Sequence, residues 1–372
     1  MKILMLNYEY PPLGGGAAPI TKAIAEKLVD KNHEVDILTM GFRGLKDEEY
    51  INGVHIYRVP SLRKKQGTCT THEMLSYCIS AALKMPGMLK ENRYDINHTH
   101  FIIPTGIVSN LFHTTIPYLI TTHGSNVPGY NPDRFGFQHM LIKPLWKKIV
   151  RNSACITSPT NYMKQLIQQN IDYKNIVIIP NGINPNSFSP KEKDNKILIV
   201  SRLLQRKGIQ YVIEAMQDIN SYNLVICGDG PYRKTLEKKA EKLKIQHKVH
   251  FRGFISNSEL KNEYETSAIF VLPSISENFP VVLLEAMSAG CAVITSNTTG
   301  CREAVGNAGL LVEPDNSSDI REKILFLIKN DDIRKKLAQK SLERVQYELN
   351  WDILIKKYIS CYENILDIMP SV

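Results

Sequence analysis

Two glutamates in one short stretch are the residues of this sequence best placed to do chemistry. Glu277 lies in a polar loop, and Glu285, eight positions later, lies in an apolar run that is typical of a helix. Pro280 suits the first position of that helix and Gly290 its C-terminal end. The start of a helix attracts anions, so these acids are useful there only if they accept hydrogen bonds from hydroxyls. The stretch suits a ligand with both phosphates and hydroxyls, such as a sugar nucleotide. The pair alone does not favour that interpretation over an acid that complements a helix dipole beside a chance second glutamate.

A basic loop supplies the opposite charge. The run SRLLQRKG at residues 201–208 follows an apolar strand candidate and carries Arg202, Arg206 and Lys207. Cations at the end of a strand neutralise a bound pyrophosphate, although a solvated basic turn has the same composition. The sequence contains no Asp-x-Asp pair that would hold a phosphate-bound metal. We therefore expect no metal site and no cofactor, with Arg202, Lys207 and helix N-termini binding the diphosphate.

Two further motifs lie in the first half of the chain. The run PPLGGGAAP at residues 11–19 follows the first strand candidate, and its glycines let a backbone approach a ligand closely. Pro19 excludes a dinucleotide fingerprint, and a plain tight turn is the alternative. His123 ends another strand candidate, where binding groups gather in parallel sheets, although a single histidine is more often structural.

The composition limits the class of protein. A chain of 372 residues, 43% of them hydrophobic, is long enough for two domains with separate cores. Its seven cysteines form no CxxC pair, which argues against a disulfide framework and a zinc site. The first residues lack a signal peptide and no 18-residue apolar segment occurs, so we expect a cytoplasmic protein.

The positive charge is concentrated in one half. Residues 1–185 contain 20 Lys and Arg against 13 Asp and Glu, whereas the remainder contains 26 against 24. This excess indicates an anionic partner for the first half. No nucleic-acid-binding motif accompanies it, so we expect no nucleic acid and regard an anionic membrane surface as the other candidate.

Apolar runs alternate with amphipathic helical patterns, which is the signature of parallel α/β folding. The strand candidates are Lys2 to Asn7, Val35 to Met40, Val54 to Val59, Asp95 to His100, Tyr118 to Thr122, Cys155 to Ser158, Ile176 to Ile179, Ile197 to Ser201, Asn223 to Cys227, Val249 to Phe251, Ile269 to Leu272, Ala292 to Thr295 and Leu310 to Val312.

These elements predict two Rossmann-like doubly wound domains facing a cleft. The first domain spans residues 1–185 and the second spans 196–349, with Pro180 to Lys196 as a linker rich in Pro, Asn and charge. Ligands of such sheets bind at the carboxyl ends of the strands. Residues 350–372 form a last amphipathic helix, whose packing partner periodicity alone does not identify.

The order of the motifs resembles retaining glycosyltransferase family 4, which has the GT-B fold. The matching pieces are PPLGGG, TTHG, PNGI, SRLLQRKG, GDGP and the two glutamates followed by AMSAG, and they span the chain from Pro11 to Gly290. Two positions depart from the family's usual pattern. Gly124 to Asn126 replaces an Asp near the histidine, and Asn184 replaces an Asp at the end of the linker motif.

The resemblance implies a role for each matching residue. His123 would face the transferred sugar, while Arg202 and Lys207 would bind the diphosphate and stabilise the leaving group. Glu277 would contact sugar hydroxyls and Glu285 the ribose. The remaining contacts would come from the glycine loop at Gly15 and Gly16, which would lie against the diphosphate or the acceptor, and from the backbone of Asn278, Phe279 and Val281 near the sugar and phosphate. The last helix would return to the first domain.

The sequence is thus interpreted as a metal-independent hexosyltransferase. It would move a sugar from a UDP- or GDP-sugar to a glycan or lipid-linked acceptor in surface polysaccharide or glycolipid synthesis, with retention of configuration. Two alternatives stay open: a nucleotide-sugar epimerase of the same fold, and a non-catalytic protein that binds nucleotide sugars or polyanions.

One basic helix indicates where a membrane could be met. Residues 139–151 place Lys143, Lys147 and Arg151 on one stripe beside Leu141, Leu145 and Ile149, with Pro144 as an interruption. This pattern is typical of a helix on an anionic membrane, but more often belongs to a helix that covers a sheet with its lysines in water. The first interpretation predicts a peripheral protein on the inner face of the membrane.

Overall fold

The chain folds into two compact α/β units in a computed structural model that describes residues 1–130 and 132–368, without the side chains of residues 132–138. The first unit comprises Met1–Pro180 together with the C-terminal residues from Trp351 onward, and the second comprises Asn181–Asn350. Each unit has its own sheet and its own buried core.

The first unit is built on an eight-stranded sheet in its described residues, with the order β3-β4-β2-β1-β5-β6-β7-β8. Neighbouring strands are parallel except β3 and β4, which form an antiparallel pair. Its strands are β1 (Lys2–Leu6), β2 (Glu34–Met40), β3 (Glu48–Ile51), β4 (Val54–Val59), β5 (Ile96–His100), β6 (Tyr118–Thr121), β7 (Cys155–Ser158) and β8 (Ile176–Ile178).

The second unit has a fully parallel six-stranded sheet in the order β11-β10-β9-β12-β13-β14. This is the order of a doubly wound nucleotide-binding fold, in which the direction of winding reverses between the first and fourth strands. Its strands are β9 (Asp194–Val200), β10 (Asn223–Cys227), β11 (Val249–Gly253), β12 (Ser267–Leu272), β13 (Ala292–Ser296) and β14 (Gly309–Val312).

Helices cover both faces of each sheet. In the first unit they are α1 (Ala17–Val29), α2 (Thr71–Glu91), α3 (Thr105–Leu111), α4 (Pro132–Asn152) and α5 (Asn161–Asn170). In the second unit they are α6 (Ile209–Ala215), α7 (Arg233–Lys242), α8 (Asn257–Thr266), α9 (Val281–Ser288), α10 (Thr299–Val305), α11 (Ser317–Lys329) and α12 (Asp331–Tyr347), and α13 (Trp351–Ile368) belongs to the first unit. Within the described part of the chain, none of these helices combines the length and apolar character needed to cross a bilayer.

Every strand candidate from the sequence overlaps an observed strand, but β3 was missed. Its segment, Glu48–Ile51, is polar and largely exposed, so it lacks the apolar run by which buried strands are identified. The linker was drawn too long. Residues 181–193 belong to the second unit, since Ile183 is buried there and the Asn181 side chain donates to the carbonyl of Phe279 at 2.9 Å.

The basic helix differs from its prediction in two respects. It continues through Pro144 as part of α4 instead of breaking there. Its apolar stripe is also divided, because Ile149 is buried with Trp146 whereas Leu141 and Leu145 are exposed. The helix therefore covers the sheet with one face and presents leucines beside its lysines on the other.

The last helix is tied into the first unit by a buried polar chain. The Tyr362 hydroxyl of α13 is hydrogen-bonded to Nδ1 of His98 at 2.7 Å, and Nε2 of His98 is bonded to the Thr121 hydroxyl at 2.7 Å. Thr121 in turn bonds the hydroxyl of Thr157 at 2.7 Å. Desolvation lowers the pKa of His98 to about 3, so this ring is neutral and uses both nitrogens as hydrogen-bonding groups.

We expect Tyr362→Phe to lower the free energy of unfolding by about 1–3 kcal/mol, because it leaves a buried ring nitrogen of His98 without its partner. Urea unfolding followed by circular dichroism measures this change. Tyr347→Phe is the matched control, since Tyr347 is 72% exposed and its substitution should change stability by less than about 0.5 kcal/mol. Equal losses in the two variants would contradict a structural role for the Tyr362 hydroxyl.

Candidate active site

In the second unit, the predicted site residues gather at the point where the strand order reverses. The basic loop follows β9, and the loop of the first glutamate follows β12, which is the neighbour of β9 in the sheet. A crevice opens between the loops of two such strands, because their connections leave in opposite directions. The two motifs, 70 residues apart in sequence, are therefore brought together by the topology.

An ion pair joins these two loops. Nζ of Lys207 donates to Oε1 of Glu277, and both side chains retain only 15% of their exposure. The loops are also bonded through their backbones, since the N–H of Ile275 donates to the carbonyl of Arg206 at 3.0 Å. Gly208, at φ +70°, allows this approach, because a Cβ there would lie 2.1 Å from the Pro273 carbonyl oxygen.

Arg202 remains free of such a partner. Its side chain is exposed, and among the described residues its guanidinium forms no ion pair or hydrogen bond. Lys207, although paired, has three protons and therefore donors left for a second anion. The loop after β9 thus presents one unpaired cation and one half-buried cation to the switch point.

The helix after Glu277 begins one residue later than the sequence predicted. Pro280 is extended at φ −76° and ψ 118° and caps α9, which starts at Val281. A proline is accommodated at this position since it has no N–H to leave unpaired. The other end is as expected, because Gly290 at φ +72° follows the C-cap and ends the helix.

The segment between Glu277 and α9 is held in place by close packing. The side chain of Phe279 is buried in the core, and its carbonyl accepts the Asn181 amide, so only its backbone N–H is left for a ligand. A Cβ on Gly300, at the start of α10, would lie 2.0 Å from the Asn278 carbonyl oxygen and 2.3 Å from that of Glu277. Gly300 is a supporting residue that the sequence alone did not single out.

Glu285 lies on α9 and is hydrogen-bonded to α8. The hydroxyl of Tyr264 donates to its Oε2 at 2.7 Å, and among the described residues no other donor contacts the carboxylate. Burial raises the pKa of Glu285 above its usual range, while the bond from Tyr264 opposes this shift. One oxygen is therefore fixed by Tyr264 and the other can accept from a ligand hydroxyl.

The glycines of the GDGP motif have a packing function. A Cβ on Gly228 would lie 2.1 Å from the Ser201 carbonyl oxygen, and one on Gly230 would lie 2.4 Å from that of Leu203. Both glycines therefore allow the loop after β10 to lie directly against the basic loop after β9. They position that loop, whichever ligand it binds.

In the first unit, the glycine loop is organised by a residue that the sequence analysis missed. Glu9 accepts the backbone N–H of Gly15 at 3.2 Å, and a Cβ on Gly14, at φ +109°, would lie 2.6 Å from the Glu9 Cβ. The predicted ligand residues Gly15 and Gly16 are exposed and have open space around them. Desolvation raises the pKa of Glu9 above its usual range. The backbone N–H of Gly15 is therefore used by this acid, which takes one of the donors that the sequence assigned to a ligand.

His123 lies at the carboxyl end of β6 against a second histidine. Its Nε2 is 3.0 Å from Nδ1 of His100, the last residue of β5, and the two rings are nearly parallel at 13°. The ring of Phe101 also contacts His123, with centroids 4.7 Å apart and planes tilted by 52°. Desolvation lowers the pKa of His123 to about 3 and that of His100 well below its usual value, so both rings are neutral.

The neighbours of His100 decide which of these rings donates. Nε2 of His100 is fully buried and has no hydrogen-bond partner in the described structure. If His123 donated to Nδ1 of His100, the single proton of the neutral His100 ring would be on Nε2, where it is buried without an acceptor. A buried donor without a partner costs more than a buried acceptor without one. His100 therefore donates from Nδ1 to Nε2 of His123. This bond leaves His123 with its own proton on Nδ1, as a neutral donor at the edge of the sheet.

The comparisons with known proteins agree with this fold. The model of Glycosyltransferase Family 4 matches residues 14–187, and that of Glycosyl transferases group 1 matches residues 182–344. A glycosyltransferase of Methanocaldococcus jannaschii is 30% identical over 99% of this chain and 100% of its own length. A human phosphatidylinositol N-acetylglucosaminyltransferase protein is 26% identical over 88% of this chain and 69% of its own.

A solved structure extends the likeness to the whole backbone. The Anabaena protein HepE, crystallised with UDP-glucose, superimposes with a TM-score of 0.78 at 16% identity, covering 98% of this chain and 100% of its own. Two doubly wound units, the first of which includes the C-terminal helix, are the architecture of the GT-B fold. The chain belongs to the glycosyltransferase family 4-like enzymes of that fold.

We expect the ring of His123 to stay neutral, with its proton on Nδ1, from pH 5 to pH 8, because His100 donates to its other nitrogen. Nitrogen-15 chemical shifts of the labelled protein report both properties, and His123→Gln assigns the signal. In His100→Phe, which keeps a ring but removes the donor, the proton should redistribute toward Nε2. A wild-type ring protonated on Nε2, or a tautomer unchanged in His100→Phe, would contradict the assignment.

Proposed function

We propose that this chain is a retaining glycosyltransferase that moves a hexosyl group from a UDP- or GDP-sugar to a glycan or lipid-linked acceptor. The observation that carries the proposal is the switch point of the second unit, where Arg202, Lys207 and Glu277 lie on adjacent strand ends. Cations for a diphosphate and a carboxylate for hydroxyls are the groups that a nucleotide sugar requires.

The donor would bind along this switch point. Its diphosphate would meet the exposed guanidinium of Arg202 and the remaining protons of Lys207, with the backbone donors at the start of α9 beside them. The free oxygen of Glu285, oriented by Tyr264, would accept from the ribose hydroxyls. The binding of UDP-glucose by the Anabaena protein supports a nucleotide diphosphate as this ligand.

The same residues would assist the departure of the diphosphate. Negative charge grows on the leaving oxygen as the glycosidic bond breaks, and fixed cations stabilise that charge without reorganising. Glu277 keeps Lys207 in place before the donor arrives and would then share it with the phosphate while accepting a sugar hydroxyl. His123, a neutral donor at Nδ1, would hydrogen-bond the transferred sugar. Retention would follow from attack by the acceptor on the face that the diphosphate leaves.

Two of the relatives are named for acceptors of the proposed class. The human relative is named for the transfer of N-acetylglucosamine to phosphatidylinositol, a lipid. A Salmonella typhimurium relative, 33% identical over 57% of this chain, is named for a mannosyl transfer to the O-antigen chain, a surface polysaccharide. These names support a role in glycolipid or surface polysaccharide synthesis.

We expect the two glutamates to fail in different ways. Glu285→Gln should weaken the binding of free nucleoside diphosphate by about tenfold, since one charged hydrogen bond to the ribose is lost. Glu277→Gln keeps an oxygen that can accept from Lys207, so it should leave that binding within about threefold of wild type while lowering the kcat of transfer by about 10²-fold. Calorimetric titration with UDP and GDP, followed by donor turnover with acceptor, measures both. The reverse pattern would overturn the assignment of sugar to Glu277 and ribose to Glu285.

We expect transfer to persist when divalent cations are removed, because Arg202 and Lys207 neutralise the diphosphate. Activity with excess chelator should stay within about twofold of that with Mg²⁺, whereas Arg202→Ala should lose about 10²-fold in kcat/KM. Loss of all turnover with chelator, restored by Mg²⁺, would contradict this mechanism. Incubation of the donor alone, followed by NMR, separates the alternatives, since an epimerase would convert it without an acceptor.

A further inference from the structure

One helix of the first unit is apolar on both of its faces. The inner face of α2 is buried in the core through Tyr77, Ala81 and neighbouring residues. On its outer face Leu75, Ile79 and Leu83 recur every four residues, which places them on one stripe. These side chains are 57%, 57% and 78% exposed. A helix that only covers a sheet would carry polar residues there.

The stripe is widened by a residue from the preceding loop. Leu62 is 63% exposed, and its backbone N–H donates to the Ser76 hydroxyl of α2 at 3.0 Å. It therefore lies beside the helix, and we call Leu62, Leu75, Ile79 and Leu83 together the α2 patch. A contiguous group of large exposed aliphatic side chains marks a surface that meets a partner.

Basic residues surround the α2 patch. Between residues 62 and 93 the chain carries six Lys and Arg against two Glu. Arg63 is buried and donates to backbone carbonyls, and the other five basic side chains are exposed. One of these acids, Glu73, is buried and bonded to the N–H groups of Thr70 and Lys64, which holds its pKa at about 2. Its negative charge is therefore compensated by buried N–H groups and contributes little to the charge of the surface. Lys64 and Lys65 at one end of the patch and Lys90 at the other are exposed.

This combination selects one kind of partner. A second copy of the chain, docked symmetrically, would bring the same basic residues face to face, which is unfavourable. An anionic bilayer offers what the patch lacks, because its headgroups attract the lysines and its acyl region accepts the leucines. α2 also packs against α3, and α3 against α4, so the exposed Leu141 and Leu145 of α4 lie on the same side of the sheet.

We propose that the α2 patch docks the first unit on an anionic lipid surface, with its aliphatic side chains at the boundary between headgroups and acyl chains and Lys64, Lys65 and Lys90 against lipid phosphates. This inference rests on the proposed function, since a lipid-linked acceptor is met at such a surface. It places the main membrane contact on α2 instead of the basic helix at residues 139–151, for which the sequence analysis gave a membrane contact as one of two interpretations.

The test is flotation of the full chain with vesicles of phosphatidylglycerol and phosphatidylcholine, with pure phosphatidylcholine vesicles in parallel. Wild type should float with the anionic vesicles and lose more than about tenfold in partitioning at 0.5 M salt. The triple variant Leu75→Ser, Ile79→Ser, Leu83→Ser should lose at least about tenfold at low salt. The double variant Phe254→Ser, Tyr347→Ser removes two exposed rings of the second unit and should float like wild type.

Three outcomes would overturn the proposal: no flotation of wild type, equal flotation of the triple variant, or equal flotation with uncharged vesicles. A wild-type dimer in light scattering that the triple variant converts to monomer, without flotation, would assign the patch to a second copy instead. Thermal stabilisation by UDP or GDP controls for folding of the variants. It also separates the two proposals. Flotation that depends on α2, without nucleotide binding or transfer, would support the α2 patch as a membrane-binding surface and refute the proposed glycosyltransferase function.

Discussion

The ion pair between Lys207 and Glu277 is the interaction on which the second unit's site depends. It connects the loops that follow β9 and β12, the two strands between which the winding of the sheet reverses. Both side chains are largely removed from water, so each would be destabilising without the other. The pair therefore stabilises the two loops that form the site. It also holds the lysine and the carboxylate close enough for both to contact one ligand.

That pair is possible only because backbones approach closely around it. Gly208 passes over the Pro273 carbonyl, and Gly300 passes over the carbonyls of Glu277 and Asn278. A Cβ at Gly208 would lie 2.1 Å from the Pro273 carbonyl oxygen and one at Gly300 2.0 Å from that of Asn278, so any side chain there would push the loops apart. The glycines of the GDGP motif have the same relation to the basic loop. Much of what looks like a ligand motif in the sequence is thus the packing of one loop on another.

The sequence predicted the strands well, because buried parallel strands are short runs of β-branched residues between turn signals. It could not predict β3, which is polar, nor the path of residues 181–193, whose contacts with Phe279 are made across nearly 100 residues. It identified the charged residues of the site from their types. It did not identify Glu9, His100 or Tyr264, since each acts through a partner distant in sequence and carries no local pattern. Whether Arg202, Glu285 and the others bind as assigned stays a prediction.

The two histidines of β5 show how such hidden partners give a strand two functions. His98 and His100 lie two residues apart and so point to the same face of the sheet, with ring centroids 4.5 Å apart. His98 is bonded to Tyr362 and fixes α13, whereas His100 is bonded to His123 and fixes the tautomer of the ring at the sheet's edge. Both are kept neutral by burial, because a charge on either would face the other ring in an apolar setting. The packing of the last helix and the orientation of His123 therefore depend on the same stacked pair of rings, His98 and His100. We infer that a substitution that weakens the packing of α13 would also disturb His123 at the edge of the sheet, because the two are connected through this pair.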